Sequence, residues 1–231
     1  MPDLSCARGS DCVSVDSIGI SPCPGERRDA FVTGLGCFRR LPDLDTWISR
    51  FQRMASGAVL RADQLIMDVA AGARILTAEE LHEVLEHVAR AGFDANARER
   101  ARGELAGLVW QDQVLRGSTL LPPAERHYVK HVLLRREWPA GTSLEDYLES
   151  ARQTILNSGS SVFLSAYRGQ WQLAVIGESG NWRGPHGNEF IVVEYRVETG
   201  HWTTVFQPRD MYTDFIRTAG RERVRWLRRR I

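Results

Sequence analysis

The sequence predicts an α+β fold: a helical N-terminal part followed by a C-terminal unit of two helices and a four-stranded antiparallel β-meander. Three observations predict it. Apolar residues recur at helical spacing in two N-terminal stretches, Leu44, Trp47, Ile48 and Phe51, then Leu81, Val84, Leu85 and Val88. Short β-type runs crowd between residues 162 and 207. Arg168-Gly169 and Thr199-Gly200 supply tight-turn signals that join those runs in antiparallel pairs. Helices first and strands afterwards are the signature of α+β.

Composition sets the bounds. At 231 residues, 43% apolar and 26% charged, the chain can bury a real core and is not expected to be disordered as a whole. No apolar run approaches the roughly 18–20 residues that a membrane span needs. The N-terminus lacks the basic-then-apolar pattern of a secretion signal, so the expected compartment is the cytoplasm.

Taken in order, residues 1–26 read as an irregular leader rich in Ser, Gly, Pro and Asp. Residues 27–118 read as a helical region. Helices are expected at 44–51 and 60–71, then after a capping box of Thr77 and Glu80 with Gly92 as the stop, and again over 96–115. Pro122-Pro123 marks a connector, and residues 119–231 read as the sheet domain with a basic tail. Its first helix carries His127, Lys130 and His131. Its second is expected to start at a capping box of Thr142 and Glu145 and run through Ile155. Strands follow at 162–167, 171–176, 190–197 and 201–207, with a glycine-rich loop over 177–188.

Net charge is +1, which by itself selects no partner. Lys130 is the only lysine, and arginine is the better side chain for bidentate phosphate contact. The tail gathers Arg217, Arg221, Arg223, Arg225, Arg228, Arg229 and Arg230 against Glu222. Such a run reads either as a contact for phosphates or an acidic partner, or as a solvated terminal helix or frayed tail. Cys6, Cys12, Cys23 and Cys37 form no C-x-x-C pair and have no neighbouring histidine, so they read as free thiols rather than a zinc site. His82 and His87 are one residue too far apart for the zinc-protease helix pattern.

The last hairpin carries the candidate chemistry. A two-residue Thr199-Gly200 turn would set Val197 opposite Trp202, Tyr195 opposite Thr204 and Val193 opposite Phe206, an apolar face for packing on helices. The other face would then hold Glu194, Arg196, Glu198, His201, Thr203 and Gln207: a base, an acid and a cation together. A three-residue loop would instead set Glu194 opposite Thr204. The pattern favours the first register. A plain antiparallel sheet with one solvated face has the same pattern.

The order of elements from Ala124 to Pro208 resembles the barnase–EndoU–colicin–RelE-like ribonuclease superfamily, especially its phage-associated and polymorphic-toxin members. The resemblance rests on the helix Arg126-His127-Tyr128-Val129-Lys130-His131, the helix over 144–156, the strand near 171–176 and the closing Thr203-Thr204-Val205-Phe206. It implies an active site on the exposed sheet face and a metal-independent cleavage of RNA, tRNA included, with no cofactor. It also implies an antitoxin or immunity protein as a partner.

On that resemblance, the ribose 2′-hydroxyl attacks the adjacent phosphate while one group takes its proton and another protonates the leaving oxygen. His201, Glu194, His127 and His131 are the acid–base candidates, Arg196 and Arg168 would hold the phosphate, and Thr203 or Thr204 would donate a hydrogen bond. Arg168, Trp182, Arg183 and His186 are substrate-binding candidates, the last three in the glycine-rich loop. The resemblance needs Thr204 at the site, whereas the favoured register turns it toward the core; Thr203 and Thr204 therefore both stand. Two other readings remain: a protein-interaction module of phage or bacterial type, and a nucleic-acid-binding protein without catalysis.

Overall fold

The structure is a computed structural model that describes residues 21–22, 30–33, 36–39, 61–167, 169–209 and 222–230. The chain divides into two compact units, residues 1–41 and 42–231. In the first, β1 (Ser21–Pro22), β2 (Ala30–Thr33) and β3 (Gly36–Arg39) form an antiparallel sheet in that order. The leader and the start of the expected helical region thus contain paired strands, and Cys37 sits in β3. The helix expected over 44–51 and the other three cysteines lie outside the described residues.

The second unit opens with α1 (Arg61–Ala71), where the sequence predicts a helix. Its end is a Schellman motif. Gly72 takes φ 76°, its N–H donates to the Val69 carbonyl, and the Ala73 N–H donates to that of Asp68. The helix α2 (Ala78–Ala91) begins at the expected capping box: Glu80 N–H donates to Thr77 Oγ1 at 3.2 Å, and Thr77 N–H donates to the Glu80 carboxylate at 3.0 Å. Leu81, Val84, Leu85 and Val88 form its buried stripe, as their spacing predicts.

The helix expected over 96–115 is absent. Instead β4 (Glu99–Arg100) pairs with β7 (Leu120–Leu121), a 3₁₀ turn spans Gly103–Leu105, and β5 (Val109–Trp110) pairs with β6 (Gln113–Val114). Gln111 and Asp112 both take positive φ in the turn between β5 and β6, the conformation two-residue hairpins require. Gly107, at φ 87°, is incompatible with a continuous helix.

Pro123, tolerated in a first turn because its missing N–H has no partner there, opens α3 (Pro123–Tyr128). That helix continues without a break as a π-helical segment, Val129–Leu134. The capping box of α4 (Leu144–Leu156) lies one residue later than the sequence predicts: Ser143 and Asp146 exchange the hydrogen bonds. Thr142 is engaged elsewhere, its hydroxyl donating to the Pro139 carbonyl at 2.8 Å.

The sheet has five strands where four were expected. The meander of β8 (Ser161–Tyr167), β9 (Gln170–Glu178), β10 (Phe190–Arg196) and β11 (His201–Phe206) is joined by β12 (Glu222–Arg228), which returns beside β8. All pairs are antiparallel. The basic tail thus contains a strand rather than a helix or frayed end. Arg225 donates to the Val69 carbonyl, and Arg228 donates to the Ser160 and Asn157 carbonyls.

One sheet face packs on the helices through two rows of register partners, Leu164, Leu173, Tyr195 and Trp202, then Val162, Val175, Val193 and Val205. Polar tips on this face find partners in the helices. Tyr195 donates its hydroxyl hydrogen to Asp63 at 2.9 Å, Trp202 Nε1 donates to the Val88 carbonyl at 2.7 Å, and Tyr147 donates to the Val205 carbonyl at 2.7 Å. Residues 61–91 and the sheet therefore share one core, across the boundary the sequence suggests at 118. Among the described residues no helix is long and apolar enough to cross a membrane.

Candidate functional site

The second sheet face is divided along its strands. Its apolar half is a cluster of Phe163, Ala174, Ile176, Phe190 and Val192, with Phe206, Val224 and Trp226 packed against it. Its other end is polar. One row of register partners is Ser165, Gln172, Arg196 and His201, and Glu194 stands beside Thr204 in the next.

This arrangement departs from the favoured register. The turn has four residues, 197–200, and the pairing shifts between Glu194 and Tyr195, so Thr203 is an extra residue in β11. Such a bulge reverses which side the following residues face. Trp202 stays with the core and Thr204 moves to the side of Glu194. Thr203 donates its hydroxyl hydrogen to the Glu194 carbonyl at 3.3 Å.

The expected solvated face is also corrected. Glu194, Glu198 and Gln207 are buried, at 6%, 9% and 2% exposure. The Glu198 carboxylate accepts the Trp171 N–H at 2.7 Å, tying the turn to β9. Arg196, His201 and Thr204 are half-buried. Arg196 Nε and His201 Nδ1 are each buried without a hydrogen-bond partner among the described residues. Two such atoms on cross-strand neighbours give this end unmet hydrogen-bonding capacity.

Thr204 is reached from α3. Its Oγ1 lies 3.3 Å from His127 Nδ1, and Arg126 Nη2 lies 3.1 Å from His127 Nε2. A guanidinium can only donate, so Nε2 accepts and the proton sits on Nδ1, which donates to Thr204. The threonine hydroxyl hydrogen is thereby left to donate elsewhere. Burial first, then the adjoining His131 ring and the Arg126 charge, hold His127 well below the usual histidine range, so it is neutral. Glu99 pairs with Arg126 and anchors the chain of contacts.

His131, one turn further on, does not join them. Its ring stacks on His127 at 5.7 Å with an interplanar angle of 1°, inside a column that continues to Phe93 on one side and Phe206 on the other. Its Nδ1 is 3.0 Å from both oxygens of Glu137, and one of those oxygens accepts the Gln207 N–H at 2.8 Å. Burial pushes the Glu137 carboxyl up to about 7 and pushes His131 well below the usual histidine range. The pair is therefore neutral near pH 6, with the glutamic acid donating to an unprotonated Nδ1. His131 is a core residue that shapes the column.

The loop candidates lie at the other end of β11. Trp182 donates from Nε1 to Gln153 and accepts from Gln207 Nε2 at its carbonyl. The His186 N–H donates to the Arg136 carbonyl, and Arg183 lies 3.9 Å from Glu189. From Gln207 to His201 is about 20 Å of strand, so Trp182, Arg183 and His186 are not brought to the polar end. Arg168 lies outside the described residues. Gln172, Ser165, Arg126 and Glu99 enter the site or its support without having been singled out in the sequence; each arrives by cross-strand pairing or a contact far along the chain. Among the described residues no three His, Cys, Asp or Glu side chains group to hold a metal ion.

No family model matches the chain, nor does any curated protein or solved structure.

Proposed function

We propose that the chain is an endoribonuclease of the toxin type, acting at the polar end of the second sheet face without a resident metal. The observation that carries this reading is the pairing of Arg196 with His201, each with a buried nitrogen that lacks a partner among the described residues, beside Glu194 and Thr204. A cation, an imidazole, a carboxylate and a hydroxyl are what the reaction requires.

In the proposed reaction the ribose 2′-oxygen bonds to the adjacent phosphorus as the bond to the 5′-oxygen breaks. Glu194 or His201 takes the 2′ proton, and His201 or a water protonates the departing oxygen. Arg196 binds the phosphate, and the Thr204 hydroxyl, with one lone pair engaged by His127, donates to a phosphate oxygen. The products are a 2′,3′-cyclic phosphate and a 5′-hydroxyl. His127 and Arg126 are positioning residues. A cytoplasmic enzyme of this kind would be held in check by an antidote protein.

The test is incubation of the purified chain with total RNA and tRNA in EDTA, beside the His201→Ala, Arg196→Ala double variant. Cleavage with cyclic-phosphate ends that the variant loses is the expected result. Equal cleavage by both, or none by the wild type on either substrate, overturns the reading.

A further inference from the structure

Away from the polar end, the surface carries two adjoining clefts of about 430 and 330 Å³. None of the residues assigned above to RNA cleavage lines either cleft. The larger lies between the end of α3 and the 138–143 turn; the smaller lies between the π-helical segment and the β5–β6 hairpin. Leu133 and Arg136 line both, so the two clefts adjoin as a groove divided by these side chains.

The groove is open; apolar side chains dominate its smaller cleft, and Thr142 and Ser143 stand among those that line the larger one. Leu133 and Leu134 are 46% and 37% exposed, and on the hairpin Val109 and its register partner Val114 are 65% and 52% exposed. Leu133, Leu134 and Val109 line the smaller cleft together, with Val114 beside Val109 on the hairpin, and such an exposed aliphatic set is unusual for a surface with no partner. Arg136 is the only charged residue among those lining the two clefts. Its guanidinium is exposed and forms no ion pair or hydrogen bond with another described residue, whereas its neighbour Arg135 pairs with Glu104 at 3.0 Å.

Arg136 is also held in place. It takes φ 55°, a left-handed conformation uncommon for arginine, and its carbonyl accepts the His186 N–H at 3.1 Å. The next carbonyl, of Glu137, accepts the Gly184 N–H at 2.8 Å. The 180–187 loop thus fixes the backbone from which the guanidinium projects between the clefts.

We propose that this groove binds a segment of another protein that carries an acidic residue flanked by apolar side chains. The carboxylate pairs with Arg136 and the flanking side chains fill the clefts on either side. Charge complementarity selects this occupant over a second copy of the chain. A two-fold contact centred on Arg136 would set guanidinium against guanidinium. The proposal does not depend on whether the polar end cleaves RNA.

The experiment is fluorescence anisotropy on the full chain with three sets of labelled pentapeptides. Each set has Leu, Ile, Phe or Trp at the flanking positions and Glu, Gln or Lys at the centre. Binding by the Glu set, weakened roughly tenfold by Arg136→Gln and lost on Leu133→Ser, is the expected result. Both substitutions are at exposed positions, and far-UV circular dichroism with a melting curve confirms that the variants are folded. Binding that ignores the central residue, binding unchanged in both variants, or no binding by any set overturns the proposal. Sedimentation that shows a dimer abolished by Leu133→Ser overturns it in favour of a second copy.

Discussion

His127 and Thr204, 77 residues apart, meet through Nδ1 and Oγ1 at 3.3 Å, and the meeting depends on two periods that happen to match. Residues four apart on a helix are spaced about 6 Å along its axis, and residues two apart on a strand nearly 7 Å. With α3 beside β11, His127 therefore meets Thr204 while His131 meets Phe206. The bulge at Thr203 gives Thr204 and Phe206 the phase this requires.

From that relationship the first prediction follows. Thr204→Val keeps the volume and removes the hydroxyl, so on the proposed reaction it lowers kcat about 10²-fold with KM little changed. Thr204→Ser restores the donor and brings kcat back to within a few-fold of wild type. A valine variant that cleaves RNA at the wild-type rate would remove Thr204 from the mechanism. Single-turnover kinetics on a short RNA read the difference.

Two glycines of the 180–187 loop are required by contact rather than by conformation. A Cβ on Gly184 would overlap the Trp138 carbonyl, and one on Gly187 would overlap the Glu137 carbonyl. Both carbonyls are backbone atoms that cannot give way, although Gly187 also faces the Gln207 side-chain oxygen. Gly184→Ala and Gly187→Ala each destabilise the fold by about 2 kcal/mol or more. Gly103 has open space around it, and Gly103→Ala changes stability by only about 0.5 kcal/mol. Urea unfolding of the three variants makes the comparison, and equal midpoints would mean that the loop is not docked on the 136–138 backbone.

What was legible in the sequence follows from how local each signal is. The α2 capping box and stripe, the two helices after Pro122, and four of the five sheet strands were read correctly because each is encoded within a few residues. The expected helix over 96–115 failed where local signals compete: apolar residues in the stretch suggested a helix, but Gly107 and the Gln111-Asp112 turn break it. No Asn-Gly or Asp-Gly pair announced that hairpin. The strand β12 was missed because pairing with β8 decides it, and its arginines disguise the alternation. The site was half legible. Glu194, Arg196 and His201 were placed together by strand alternation alone, whereas Thr204 needed the bulge, which leaves no mark in composition. The partnership of His131 with Glu137 follows no helical period and depends on the chain leaving the π-helical segment at Arg136.

That partnership yields the last prediction, a change of tautomer near neutral pH. Below pH 7 the protonated Glu137 donates to His131 Nδ1, and the ring proton sits on Nε2. Above pH 7 the carboxylate accepts instead, the proton moves to Nδ1, and the ring stays neutral because burial holds its titration well below the usual range. Histidine ¹⁵N shifts should therefore exchange between the two nitrogens of His131 with a midpoint about 7, with no imidazolium signature at either end. The folded carboxyl titrates above its unfolded value, so its contribution to stability is full below about pH 4.5 and lost as the pH rises through about 7. That loss amounts to about 3 kcal/mol. His127 and His131 act in the opposite sense. Both are depressed, so their contribution is present above about pH 6.5 and lost as the pH falls below it. Glu137→Gln keeps the shape and removes only the first effect. Relative to wild type, the variant should gain up to about 3 kcal/mol between pH 5 and pH 8, measured by urea unfolding at each pH. A His131 that becomes doubly protonated at pH 6, or a variant whose stability tracks wild type across that interval, would show that Glu137 is ionised against a charged histidine instead.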